Sequence, residues 1–272
     1  MSKYNPIVRS RFVPSPAPDD WHYRLSDGNI RGLSAEFVFG RNTDVGTGAF
    51  EPVSQGGIFW TPQVGGATTL KVSSSNAGDT ATTGSGAREI TIVGINASGA
   101  VVTDTLATAG TSDSSATSNS YIRLLKAYVS KSGTYATSTA GSHVGTIAIK
   151  TNAGTPIGSI SSTNFPRGST QIGAYTIPAN KKGFIEYMSI TVDSNKTANI
   201  AMFKRGNILE TGVPYTGMEV VAEFPGVAGF AEFNPASPIN DLEGPCDIGF
   251  MALGLGQAAD VSVGFELILK DI

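Results

Sequence analysis

The chain has 272 residues, 40% of them hydrophobic and 15% charged, with a formal net charge of −3. That charge content lies well under the roughly 25% of ordinary soluble domains, and the basic residues are scattered, so neither a nucleic-acid stripe nor a disordered polyelectrolyte fits. The single cysteine, Cys246, excludes an internal disulfide framework and a cysteine-cluster metal site, and no run approaches the roughly 18 apolar residues of a membrane span.

Residues 1–62 lack sustained periodicity. Pro6, Pro14, Pro16, Pro18, Pro52 and Pro62 interrupt them, and each proline fixes φ and removes a ladder donor. The same stretch carries Trp21, Tyr23, Phe37, Phe39, Phe50, Phe59 and Trp60. Bare aromatics in water forgo large burial energies, so the expectation is an extended N-terminal arm laid over another surface. The basic series Lys3, Arg9 and Arg11 has no aromatic platform beside it. The opening residues have no signal-peptide core, so the expectation is a chain made and folded in a cytoplasm without export.

Residues 63–152 show period-2 alternation repeatedly and read as a first, small β domain. "TLKVS" is a short strand, and "REITIVGI" and "AVVTDTLA" are two longer ones rich in β-branched residues. Between them Asn96 and Gly99 supply turn chemistry, which makes residues 88–107 a hairpin. "YIRLLKAYVS" fits helix or strand by pattern alone, and its Ser/Thr/Gly-rich flanks favour strand. "VGTIAIKT" closes the domain.

Residues 153–170 read as a linker on their Gly, Pro and Ser content. Residues 171–272 read as a C-terminal jelly-roll-like β-sandwich, with strands at roughly ten-residue spacing. Its clearest strand is "VSVGFELILK", where Val261, Val263, Phe265, Leu267 and Leu269 alternate with Ser262, Gly264, Glu266, Ile268 and Lys270. The fold class is therefore all-β.

Chemistry-bearing residues do not converge. His22 and His143 stand far apart with no ligand spacing and read as loop histidines. A glycosidase needs two carboxylates a few ångströms apart, and nothing selects a pair from Glu186, Glu210, Glu219, Glu223 and Glu232, which lie on or beside strands. Cys246 begins an apolar run and reads as a small buried hydrophobe. Asn96-Ala97-Ser98 and Asn195-Lys196-Thr197 match the glycosylation pattern by chance at turns. The expectation is a protein without enzymatic activity, cofactor or metal.

"FVFGRNTDVGTGAFEPV" leading to "GGIFWTP", then "VSSSNAGDTATTGSGAREITIVGINASGAVVTDTLATAG", "SNSYIRLLKAYV" and "YTIPANKKGFIEYMSITV" set out a recurring layout. Over residues 36–272 the chain resembles the virion structural proteins of tailed bacteriophages of marine and aquatic type, and its second half is similar to trimeric jelly-roll modules of phage decoration and fibre proteins. The resemblance implies a virion component that decorates or cements a capsid or forms a head fibre. It also implies a homotrimer whose partners are the major capsid protein or tail proteins. Phe37, Phe39, Phe59 and Trp60 are then the expected anchoring residues, and deleting residues 1–60 is expected to leave a folded core. The alternative is a tail or baseplate component, including an adhesin that touches host surface glycan through loops such as Ser130–His143.

Overall fold

The computed structural model describes residues 21–55, 66–134, 141–163, 167–206, 208 and 218–272. After a short helix, α1 (Trp21–Ser26), every described element is a strand: β1 (Leu33–Val45), β2 (Glu51–Pro52), β3 (Leu70–Ser74), β4 (Ala87–Ile95), β5 (Val101–Ala107), β6 (Arg123–Ser132), β7 (Ile147–Thr151) and β8 (Pro156–Ile160). The series continues with β9 (Ala174–Ile177), β10 (Lys181–Val192), β11 (Thr197–Arg205), β12 (Met218–Val227), β13 (Gly229–Phe233), β14 (Ile239–Glu243), β15 (Cys246–Leu255) and β16 (Ala259–Asp271). The protein is all-β, as its alternating sequence predicts.

Two antiparallel sheets form a sandwich. One has the order β1-β16-β10-β13, with β14 also on β10; the other has the order β12-β11-β15-β2, with β9 also on β15. β16 shows why the sandwich closes. Val261, Val263, Phe265, Leu267 and Leu269 are buried in a core they share with Met188 and Ile190 of β10 and with Ile200, Ile248 and Phe250 of the facing sheet, the usual consequence of a period-2 strand with one apolar face.

β2 and β9 are two halves of one strand. Glu51 and Pro52 lie opposite Ala252 and Met251, and Ala174 to Ile177 continue along Gly249 to Cys246 of the same neighbour, β15. The halves are stitched where they meet: Val53 N–H donates to Phe250 O at 3.1 Å, Phe250 N–H to Gly173 O at 2.9 Å, and Gly173 N–H to Val53 O at 2.9 Å. β13 and β14 likewise occupy successive stretches of β10, at Met188–Val192 and Lys182–Ile185. Counting each pair as one strand, the chain order becomes 1-8-3-6 in one sheet and 5-4-7-2 in the other, which is the order of a jelly roll.

The chain leaves this sandwich after Val53 and returns at Gly173. Between them lies an inserted β domain of two three-stranded sheets, β3-β7-β8 and β5-β4-β6. It has its own core, including Leu70, Ile90, Ile92, Tyr121, Leu124, Ile149 and Ile160. A neck joins the two bodies: Ser54 bridges Ile172, and Gln55 N–H donates to Gln171 O at 2.9 Å. Ile95, Ile122 and Leu125 of the insert pack into the core of the sandwich, which fixes the insert against it.

Two sequence expectations are corrected. Residues 33–45 are no arm: they form β1, paired antiparallel with β16 from Leu33↔Lys270 to Val45↔Ala259, and residues 51–53 are half of a sandwich strand. The remaining stretches of the expected arm, 1–20 and 56–62, lie outside the described residues. Within the expected linker, Pro156–Ile160 is strand β8, paired with β7, because Ile157 and Ile160 are needed in the core of the insert. The hairpin at 88–107 is present. β4 pairs with β5, Asn96 Oδ1 accepts from the N–H groups of Ser98 and Ala100, and Gly99 takes a positive φ of 78°.

Candidate functional site

Register places the side chains on the outer face of the β1-β16-β10-β13 sheet. Phe39 lies opposite Gly264 and Phe37 opposite Glu266. On the far side of β16, Gly264 faces Ser189 and Ser262 faces Thr191, and Thr191 faces Phe230. Residues directly opposite in a sheet share a face, so Phe37, Phe39 and Phe230 all project outward from one surface, separated by Gly, Ser and Thr. They are 65%, 43% and 64% exposed, which marks them as surface aromatics on a rigid base rather than core residues at an edge. Phe233, by contrast, is opposite buried Met188 and packs edge-on against Phe224 at 5.8 Å between ring centroids.

Gly264 makes this arrangement fit. A Cβ built there would come within 3.0 Å of both Phe37 Cζ and Ser189 Oγ, so the bare backbone lets the Phe37 ring lie across the sheet. Along its other side β1 borders a groove of about 290 Å³ between the sandwich and the insert, lined by Phe37, Phe39, Val93, Val101, Leu125 and Tyr175 among others. Among the described residues β1 is an edge strand, bonded to β16 alone in its sheet.

Of the expected anchoring residues, the structure brings Phe37 and Phe39 together on this face. Phe59 and Trp60 lie outside the described residues. Phe230 was not singled out by the sequence. The signal available was "AGFAEF", in which Phe230 and Phe233 fall three apart and so on opposite faces of a strand.

Beneath the surface, a buried charge cluster locks the insert to the sandwich. Asp247 of β15 accepts from Arg123 of β6 (Nη2 to Oδ2, 3.1 Å), from Arg205 of β11 (Nε to Oδ2, 2.9 Å) and from Thr176 Oγ1 of β9 at 2.8 Å. Arg123 also donates to the carbonyls of Ile122 and Ile208. All four side chains are buried, and planar guanidinium groups with several donors each suit such a site. Burial and the neighbouring Asp247 charge push the adjacent Cys246 thiol up to about 11, and Cys246 is the small buried hydrophobe its context predicts.

His143 lies on the loop before β7, as expected, and is buried there. Its Nδ1 is 2.9 Å from Ser142 Oγ and its Nε2 is 3.0 Å from Ser161 O, and burial pushes its pKa down against the pull of that carbonyl. The backbone of His22 lies in α1. Glu186, Glu219, Glu223 and Glu232 sit on β10, β12 and β13, and Glu210 lies outside the described residues. Among the described residues no group of three or more His, Cys, Asp and Glu could hold a metal ion, and no helix is long and apolar enough to cross a membrane.

No family model and no curated protein matches the chain. Among solved structures it is similar to one of infectious bursal disease virus Gt strain, at 11% identity over 88% of this chain and 77% of that chain, with a TM-score of 0.18. A second likeness is to infectious bursal disease virus Gx strain, at 9% identity over 88% and 72% of the two chains, with a TM-score of 0.20. Scores at this level fall short of a common fold.

Proposed function

We propose that the protein is a non-enzymatic virion structural component, a homotrimer that decorates or cements the capsid of a tailed phage or forms its head fibre. The observation behind this reading is the row of outward phenylalanines, Phe37, Phe39 and Phe230, on the outer face of a hydrogen-bonded jelly-roll sheet. Burying one such side chain against a neighbour is worth about 1.5–3 kcal/mol. Aromatic anchors on a preformed surface concentrate binding energy where little ordering entropy is lost. The low charge of the chain suits extensive contact with neighbouring subunits, since obligate interfaces are more apolar than free surfaces. Repetition in a trimer multiplies the effect, because each contact already made raises the effective concentration of the next.

Two measurements test the reading. Light scattering on the purified chain gives its oligomeric state, and electron microscopy of intact particles gives its place. A trimer in solution and density on the capsid surface are the expected results. A chain that stays monomeric and is absent from purified particles overturns it.

A further inference from the structure

The groove beside β1 has the form of a strand-binding slot. Glu36, Phe37, Val38 and Phe39 all line it. Side chains alternate between the two faces of a strand, so successive residues meet one groove along the strand's edge, where backbone N–H and C=O groups point. On its other side β1 is bonded to β16, and between Ser34 and Arg41 the groups on the groove side have no backbone partner among the described residues. Such an edge is a template for another strand. The facing wall, residues 169–172, is already bonded: Thr170 N–H donates to Ala127 O at 2.9 Å, and Gln171 O accepts from Gln55 N–H at 2.9 Å. Val93, Val101, Leu125 and Tyr175 add apolar surface beside the free edge.

The chain itself carries a sequence that fits. Of the residues before Trp21, which lie outside the described residues, 7–13 ("IVRSRFV") form a run without Pro or Gly between Pro6 and Pro14. Laid out as a strand, Val8, Ser10 and Phe12 fall on one side and Arg9 and Arg11 on the other. The first set suits the apolar groove. The second then lies on the outer face beside the rings of Phe37 and Phe39, which favour guanidinium groups, and beside Glu266, which is opposite Phe37. Charge agrees with this fit. Lys3, Arg9 and Arg11 precede the first acidic residue, Asp19, while Glu36 and Glu266 have no ion pair among the described residues and Lys126 is the one cation in the groove lining.

We propose that the free edge of β1 receives residues 7–13 of a second copy of this chain as an added strand. The spacer favours a neighbour over the chain's own groove. Residues 14–20, "PSPAPDD", hold prolines at alternate positions, which favours an extended chain of roughly 20 Å. α1 packs against β1, whose length from Leu33 to Phe37 is only about 13 Å. A stiff spacer longer than that gap carries the run past its own groove. The proposal rests on the homo-oligomer of the proposed function and names one of its contacts, and it does not depend on a place in a virion.

The test uses the full chain and cysteine cross-linking, for which buried Cys246, the chain's single cysteine, gives little background. The double variant Ser10→Cys/Glu36→Cys is treated with a short bismaleimide, and the product is read by mass and by peptide mapping. Sedimentation velocity of the untreated chain gives its oligomeric state. The expected product links residue 10 of one chain to residue 36 of another. Ser10→Cys/Val220→Cys, with its second cysteine on the exposed part of β12, should give none. Val8→Pro added to the first pair removes a ladder donor and should lower the interchain yield about tenfold with the thermal midpoint unchanged. A monomeric chain overturns both the homo-oligomer and this contact. An oligomer that gives no interchain product, or gives as much with Val220→Cys, overturns the contact alone. A link within one chain overturns it too, by assigning the groove to the chain's own N-terminal residues.

Discussion

The N–H of Gly173 donates to the carbonyl of Val53 at 2.9 Å, which closes one sandwich strand across an entire inserted domain. The segment that leads up to this junction, β1 and β2, is likewise part of the sandwich and not an appendage to it. Removing residues 1–46 takes away β1, deletes Val38 and Val45 from the core and leaves β16 without its outer neighbour. The truncated chain should be unfolded or insoluble, by the cost of several large-to-small core changes at about 2–5 kcal/mol each against a total stability of about 5–15 kcal/mol. Circular dichroism and urea unfolding check this. A cooperative, native-like transition in the truncated chain would show that β1 is an appendage after all.

The same junction explains what the sequence could and could not disclose. The hairpin at 88–107 was legible because Ile90 and Ile92 point inward at period 2 and the turn is built from Asn96 and Gly99. β16 was legible for the same reason. β1 was hidden because its pattern is inverted: Phe37 and Phe39 face out, while Gly40 and Asn42 face in. A Cβ at Gly40 would fall 2.0 Å from Gly173 N, so the inward position that sequence reasoning expects to be apolar must be bare. The two-residue β2 carries no local signal, and Ala174–Ile177 of β9 says nothing locally of its place in line with β2, since their shared pairing with β15 only makes sense once residues far apart in the chain are joined. β8 was masked by Pro156 and Gly158, the latter kept small by Leu124 Cδ2, 2.7 Å from where a Cβ would stand. The Phe37 and Phe39 surface was legible as aromatic content, though the reason for its exposure, a sheet face rather than an arm, was not.

The cluster around Asp247 should be the most sensitive polar site in the protein. Asp247→Ala strips two buried guanidinium groups of a shared carboxylate and Thr176 of its acceptor. Breaking a buried pair by removing one partner costs about 3–5 kcal/mol. Thr176→Val removes a single donor and should cost only about 1 kcal/mol. Urea unfolding of the two variants measures the contrast, and equal effects would mean that Asp247 contributes no more than an ordinary hydrogen bond.

Asp104 of β5 predicts an acid dependence. It accepts from Ser118 through both N–H and Oγ, from Asn119 Nδ2 at 2.9 Å and from Tyr121 OH at 2.6 Å. Burial alone would raise its pKa, but the hydrogen bonds from Ser118, Tyr121 and Asn119 outweigh it and hold the group down at about 2, against an ordinary 3.8. A depressed carboxylate stabilises the fold fully above its unfolded value and loses that contribution as pH falls toward the folded value. The stability gap between wild type and Asp104→Asn should therefore be about 1–2 kcal/mol at neutral pH, allowing for solvent screening, and should close between pH of about 4 and 2. Unfolding midpoints measured across that range test it, and a gap that stays constant down to pH of about 2 would remove Asp104 as its source.

Replacing the outward phenylalanines separates surface from scaffold. Phe37→Ser, Phe39→Ser and Phe230→Ser change side chains that are 65%, 43% and 64% exposed, and exposed substitutions ordinarily shift stability by no more than about 0.5 kcal/mol each. Phe37 is the one to watch, because its ring rests over Gly264 and loses some packing within the chain. If this face is where subunits meet, each change should instead weaken assembly by about 1.4–2.8 kcal/mol per site, or roughly tenfold to a hundredfold. Combining the three should leave a folded monomer. Sedimentation velocity over a concentration series, paired with thermal midpoints, reads both effects at once. A triple variant that unfolds would assign the phenylalanines to the stability of the sheet, and one that still assembles as wild type would move the interface to another face.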